Sequence, residues 1–197
     1  MIPKQQKILK NYPFEKLKPP VLLVEGYKEY DGVIGDEPGK LHQGIDYVRR
    51  KGKEFLSFDV FSVHPGEAFQ AVSESWGNLV NVRLKIGNVR FETIYIHLDK
   101  INPKIPFLPK DKKAKIKFLK VGAGEWLGTA GRTGNTGGII QLHLEMHQKD
   151  LKTEERKIID PYGVYARASS GRYPKPGESL SGLAHYFTSD NPKFVKK

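Results

Sequence analysis

The chain has 197 residues, enough to bury a core in one domain and too few for two full ones. It contains no cysteine, which excludes disulfides, thiolate metal sites and a cysteine nucleophile, so any metal must be held by nitrogen and oxygen. Its 33 Lys and Arg against 22 Asp and Glu leave a formal charge of +11, which favours an anionic partner: nucleic acid, anionic lipid or an acidic cell-wall polymer.

No run approaches the roughly 18 apolar residues of a membrane span, and the start "MIPKQQKILKNYPFEK" lacks the apolar centre of a signal peptide. Residues 1–20 mix Lys, Gln and Pro without periodicity and are expected to form an N-terminal arm. The domain is expected to begin at "VLLVEGY" and to run over residues 21–165.

Next comes "HQGIDYV", with His42 and Asp46 four apart around Gly44. In a straight strand they would stand about 13 Å apart, so they converge on one ion only if the chain bends, which Gly44 permits. A His-x-x-x-Asp pair alone is a weak signal, since a surface histidine near a carboxylate is the commoner case.

The stretches "FDVFSV", "AFQAVSE", "NLVNVRLKI", "RFETIYIHL" and "GEWLGTAG" read as short strands separated by Gly, Pro and Asn, which predicts a mainly β, antiparallel domain. In "NLVNVRLKI", Val80, Val82, Leu84 and Ile86 form the inner face. In "RFETIYIHL", Ile94, Ile96 and Leu98 are expected to face away from Phe91, Thr93, Tyr95 and His97. The intervening Gly87 and Asn88 make a hairpin turn.

Between Lys104 and Lys120 stand seven lysines and one acid, read as a solvated loop that would hold the protein on anionic polymer. It offers only Phe107 and Phe118 for base stacking, so a nucleic-acid surface is not expected.

The last strong pattern is "GGIIQLHLEMHQ", residues 137–148. Alternation puts Ile140, Leu142, Leu144 and Met146 on one face and Gln141, His143, Glu145 and His147 on the other. His143 with His42 and Asp46 completes a two-histidine, one-carboxylate set, a recognised catalytic zinc arrangement with one position left open. His64, His147 and His185 are read as structural, and Glu145 as a support for the ligands or a surface carboxylate. Residues 166–197, rich in Gly, Ser and Pro with interspersed aromatics, are expected to form an extension packed on the domain.

In chain order, "HQGID", "WGNLVNVRL", "YIHL", "GEWLGTAGRTGNTGG", "LHLEM" and "IDPYGVY" resemble the lysostaphin-like, or LytM-type, zinc endopeptidases of bacterial cell walls. The resemblance covers residues 21–165 and implies a duplicated-hybrid-motif β fold, with a groove floored by an antiparallel sheet and walled by loops. It implies that His42, Asp46 and His143 bind Zn²⁺, that His97 assists catalysis without holding metal, and that the substrate is a peptidoglycan peptide in the cell envelope or outside the cell. Gln141 departs from the pattern, standing where the family has the first histidine of His-x-His. A degenerate module of this fold that binds zinc or cell wall and regulates a partner hydrolase is the alternative.

Overall fold

The structure is a computed structural model that describes residues 27–30, 44–108 and 117–158. The arm at 1–20, the extension at 166–197, His42, His185 and the middle of the lysine-rich stretch lie outside the described residues. All regular structure described is β: β1 Tyr27–Tyr30, β2 Ile45–Lys51, β3 Glu54–Leu56, β4 Asp59–Phe61, β5 Gly66–Ser73 and β6 Gly77–Ile86 in the first half. There follow β7 Val89–Ile96, β8 Leu98–Ile101, β9 Leu119–Val121, β10 Trp126–Ala130, β11 Leu142–Asp150 and β12 Arg156–Ile158. No helix among these residues is long and apolar enough to cross a membrane.

The strands form a large antiparallel sheet in the order β1-β2-β11-β7-β6-β5-β9, with β12 beside β11 and β3 beside β2, and a small sheet in the order β4-β10-β8. The mainly β, antiparallel fold expected from the sequence is therefore the one observed. The β6–β7 hairpin turns through Gly87 and Asn88 as expected, with positive φ at Gly87 alone, the pattern of a type II′ turn.

The main core collects Val80 and Val82 of β6, Phe91 and Tyr95 of β7, and Leu142, Leu144 and Met146 of β11, together with Val60, Leu98 and Leu127 of the small sheet. Fully burying such side chains contributes about 1.5–3 kcal/mol each. The inner face of β6 is as the alternation predicts. That of β7 is not: Tyr95 is fully buried in the main core, while Ile94 and Ile96 pack with Leu79 in a small cluster on the opposite face. The Tyr95 hydroxyl accepts a hydrogen bond from the Val63 N–H at 2.9 Å, which removes the polar penalty of burying a tyrosine.

β11 is shorter than the alternation of its sequence suggests. Gly137 and Gly138 both take positive φ, Gln141 makes an isolated bridge to Gly131, and the regular strand starts at Leu142. From there the alternation holds, so His143, Glu145 and His147 share the face turned away from the main core.

Candidate functional site

The site is built on that second face. In the β2–β11 register His143 stands directly opposite Asp46, and the Asp46 Oδ1 lies 2.7 Å from the His143 Nδ1. Gly44, just before β2, makes this approach possible: a Cβ there would sit 2.5 Å from the His143 Nε2 and 2.7 Å from the Leu144 carbonyl oxygen. The glycine of "HQGID" thus serves close packing against the imidazole.

Glu145 links two histidines, with one oxygen 3.3 Å from the His143 Nε2 and the other accepting a 2.7 Å hydrogen bond from the His147 Nε2–H. Burial opposes charge on both partners, yet hydrogen bonding wins. The bonds to Asp46 and Glu145, with their charges, raise His143 to about 9, and those from His143 and His147 lower Glu145 to about 2. Without metal, His143 is thus an imidazolium clamped between two carboxylates. Glu145 is 6 % exposed, which excludes the surface-carboxylate reading.

His97 joins the site through an irregular backbone. It lies between β7 and β8, where the chain leaves the large sheet for the small one, with φ of 68°, a left-handed conformation rare for a non-glycine residue. Regular alternation would point its side chain with Tyr95 into the main core. The left-handed turn instead brings its ring centroid 6.1 Å from that of His143. Its Nδ1–H donates to the Thr133 carbonyl at 2.8 Å, so Nε2 carries the lone pair. Burial, more than the neighbouring charge of His143, holds its pKa below the ordinary imidazole value.

Thr133 was not singled out by sequence. Its hydroxyl donates to the Leu98 carbonyl at 3.0 Å and accepts from the Asn78 N–H at 3.0 Å, fixing the loop against β6. Gly77, at φ of 63°, packs directly on the Thr133 backbone where no side chain fits. Positive φ and close approach together require glycine there. Gln141 is part-exposed one residue before β11, with its backbone N–H bonded to the Gly131 carbonyl at 2.9 Å.

His64 lies apart from this face. Its Nδ1–H donates to the Pro65 carbonyl at 2.8 Å and its Nε2 accepts from the Thr93 hydroxyl at 2.7 Å, a fully bonded structural histidine. His147, 4 % exposed, is structural too, but belongs to the site through Glu145.

Asp46 and His143 offer an oxygen and a nitrogen within one ion's reach, since a tetrahedral zinc with bonds of about 2.0–2.1 Å keeps its ligands roughly 3.3 Å apart. The donor chemistry suits zinc. No group of three metal-ligating side chains converges among the described residues, and the third expected donor, His42, lies outside them.

No protein-family model matches the chain, and neither does any curated protein. Solved structures do match. The antimicrobial peptidase lysostaphin from Staphylococcus simulans aligns at a TM-score of 0.50 and 21% identity over 76% of this chain. The fold is lysostaphin-like. The chain spans 52% of lysostaphin's length. Two further matches have lower TM-scores. A zinc-containing peptidase from Vibrio cholerae gives 0.45 at 22% identity, over 66% of this chain and 36% of that one. A variant catalytic domain of the prophage-encoded protein EnpA from Enterococcus faecalis gives 0.46 at 20% identity, over 74% and 95%.

Proposed function

We propose that this chain is a zinc-dependent endopeptidase that hydrolyses peptide bonds of bacterial cell-wall peptidoglycan, working in the cell envelope or outside the cell. One observation carries the reading: on a lysostaphin-like sheet, Asp46 and His143 meet at 2.7 Å while the ring of His97 stands 6.1 Å from that of His143. Lysostaphin is itself a peptidase.

In this reading His42, Asp46 and His143 hold the metal. Zinc, when bound, supplies Lewis acidity toward water and the scissile carbonyl. The protein's own groups do the rest. Glu145 fixes the imidazole of His143 by its hydrogen bond. His97, neutral near pH 7, takes a proton from the attacking water at Nε2 and returns it to the leaving amine as the C–N bond breaks; such help contributes about 10² to 10⁴-fold. Gln141 has no titratable proton, but its amide N–H donates to the oxyanion that develops on the carbonyl.

Gln141 also favours a second reading, a degenerate module that binds zinc or cell wall and regulates a partner hydrolase. Cell-wall solubilisation by the purified protein, with and without chelator, separates the two. Chelator-sensitive release of peptide ends supports the enzyme. Zinc binding with no release supports the module.

A further inference from the structure

The same face of the large sheet carries, at its end away from Asp46, a row of directly opposed basic residues. Lys85 of β6 pairs with Arg90 of β7, Arg90 with Lys149 of β11, and Lys149 with Arg156 of β12. With strands about 4.8 Å apart, the four cations span roughly 14 Å across the sheet. Arg83 lies one step inward.

Like charges directly opposite one another destabilise a sheet. Some of this is relieved: Glu92 lies 3.0 Å from Arg83, 2.8 Å from Arg90 and 3.7 Å from Arg156, Glu154 contacts Lys149, and Glu67 stands opposite Arg83. Five cations against three carboxylates still leave an excess of positive charge among the described residues. The cations are accessible: Lys85 is exposed, and the side chains of Arg90, Lys149 and Arg156 are 30%, 23% and 47% exposed.

We propose that this row is a binding surface for an extended phosphodiester polymer without bases, of the poly(glycerol phosphate) kind, running across β6, β7, β11 and β12. A linear row suits repeating charges better than one carboxylate, and the guanidinium forks of Arg90 and Arg156 match phosphate geometry. The row contains no aromatic to stack a base. Arg83, one step inward, lies over Phe69 at 4.4 Å, and that ring is only 3 % exposed. The surface does not depend on the peptidase reading, because nothing in it involves Asp46, His97 or His143.

The test measures binding of the full chain to immobilised poly(glycerol phosphate) over a range of salt, with chelator present so that catalysis plays no part. The triple variant Lys85→Gln, Lys149→Gln, Arg156→Gln is compared with a control triple that removes equal charge elsewhere, Lys51→Gln, Lys53→Gln, Lys100→Gln. The row triple is expected to bind about tenfold or more weaker and to flatten the salt slope by roughly two, while the control stays near wild type. Equal losses in both triples, or none in the row triple, overturn the proposal. Lys85→Glu, a single change at an exposed position, guards against a folding defect and is expected to lose affinity severalfold. Tighter binding of a mixed-sequence single-stranded DNA than of the glycerol phosphate polymer overturns the choice of ligand.

Discussion

Asp46 and His143 are 97 residues apart in sequence yet directly opposite in the β2–β11 register, with side chains meeting at 2.7 Å. The pair exists only once the large sheet has formed, so the proposed metal centre is as stable as that strand pairing. Replacing His143 by Ala should remove most zinc, because two remaining protein donors bind it poorly. Zinc content per chain after dialysis reads this directly. Full occupancy in the variant removes His143 from the ligand set.

Gly44→Ala tests the same centre from the backbone side. The added Cβ falls 2.5 Å from the His143 Nε2, so the imidazole must move off its position between Asp46 and Glu145. Zinc affinity should drop by at least tenfold, about 1.4 kcal/mol, with the fold kept by circular dichroism. Unchanged affinity means the imidazole does not need that seat to bind metal.

His97 should separate from the ligands in behaviour. His97→Ala is expected to retain zinc and lose about 10² to 10⁴-fold in hydrolysis. Because φ at this position is 68°, His97→Gly should be the more stable variant by about 1 kcal/mol while equally inactive. Paired measurements of zinc content, rate and urea midpoint decide it. Loss of zinc in both variants makes His97 a ligand.

How far the sequence reveals this arrangement depends on the range of the interaction. Val80, Val82 and Leu84 on β6, the turn at Gly87, and His143 on a polar strand face are all readable, because alternation and turn chemistry are local. The pairing of β2 with β11, which sets Asp46 opposite His143, is not legible in "IDYVRRK", because those two strands lie far apart along the chain. Alternation alone sets Tyr95 apart from the aliphatic face, and its burial in the main core rests on a hydrogen bond from Val63 that no local pattern reveals. His97 joins the site only through a left-handed residue, which breaks the two-residue period on which strand reading rests. Glu145 was ambiguous for a similar reason: burial is decided by what covers the strand, and Glu145 is covered.

Acid should loosen the fold in part through His64. Burial lowers its pKa below the ordinary 6.5, with the hydrogen bond to Pro65 acting weakly the other way. Above 6.5 both folded and unfolded states are neutral at this site and nothing is contributed. Below it, the unfolded chain binds the proton first, so stability falls with pH until the lower folded pKa is reached. His97 is shifted in the same direction and adds to the effect. His143, raised to about 9, acts the other way, its stabilisation growing as pH falls from 9 and complete below about 6.5. Urea midpoints should therefore decline from about pH 6 to pH 5, where the two lowered histidines act alone. His64→Gln should reduce that decline while costing about 1–2 kcal/mol at pH 7 through the lost Thr93 and Pro65 bonds. A pH slope identical to wild type assigns the acid sensitivity elsewhere.

Gln141 decides between enzyme and module. It precedes β11 by one residue, held by the bridge to Gly131, two positions before His143. An amide there orients and stabilises an oxyanion but carries no proton, so hydrolysis should be slow rather than absent. Losing one such donor costs about 10² to 10³-fold, which sets the scale for Gln141→Ala. Gln141→His restores a titratable imidazole and should raise cell-wall hydrolysis. Neither change should alter zinc content, since the proposed ligands His42, Asp46 and His143 are untouched. If wild type, Gln141→Ala and Gln141→His all release peptide at the same chelator-insensitive background, the chain is a binding module and the catalytic reading of His97 goes with it.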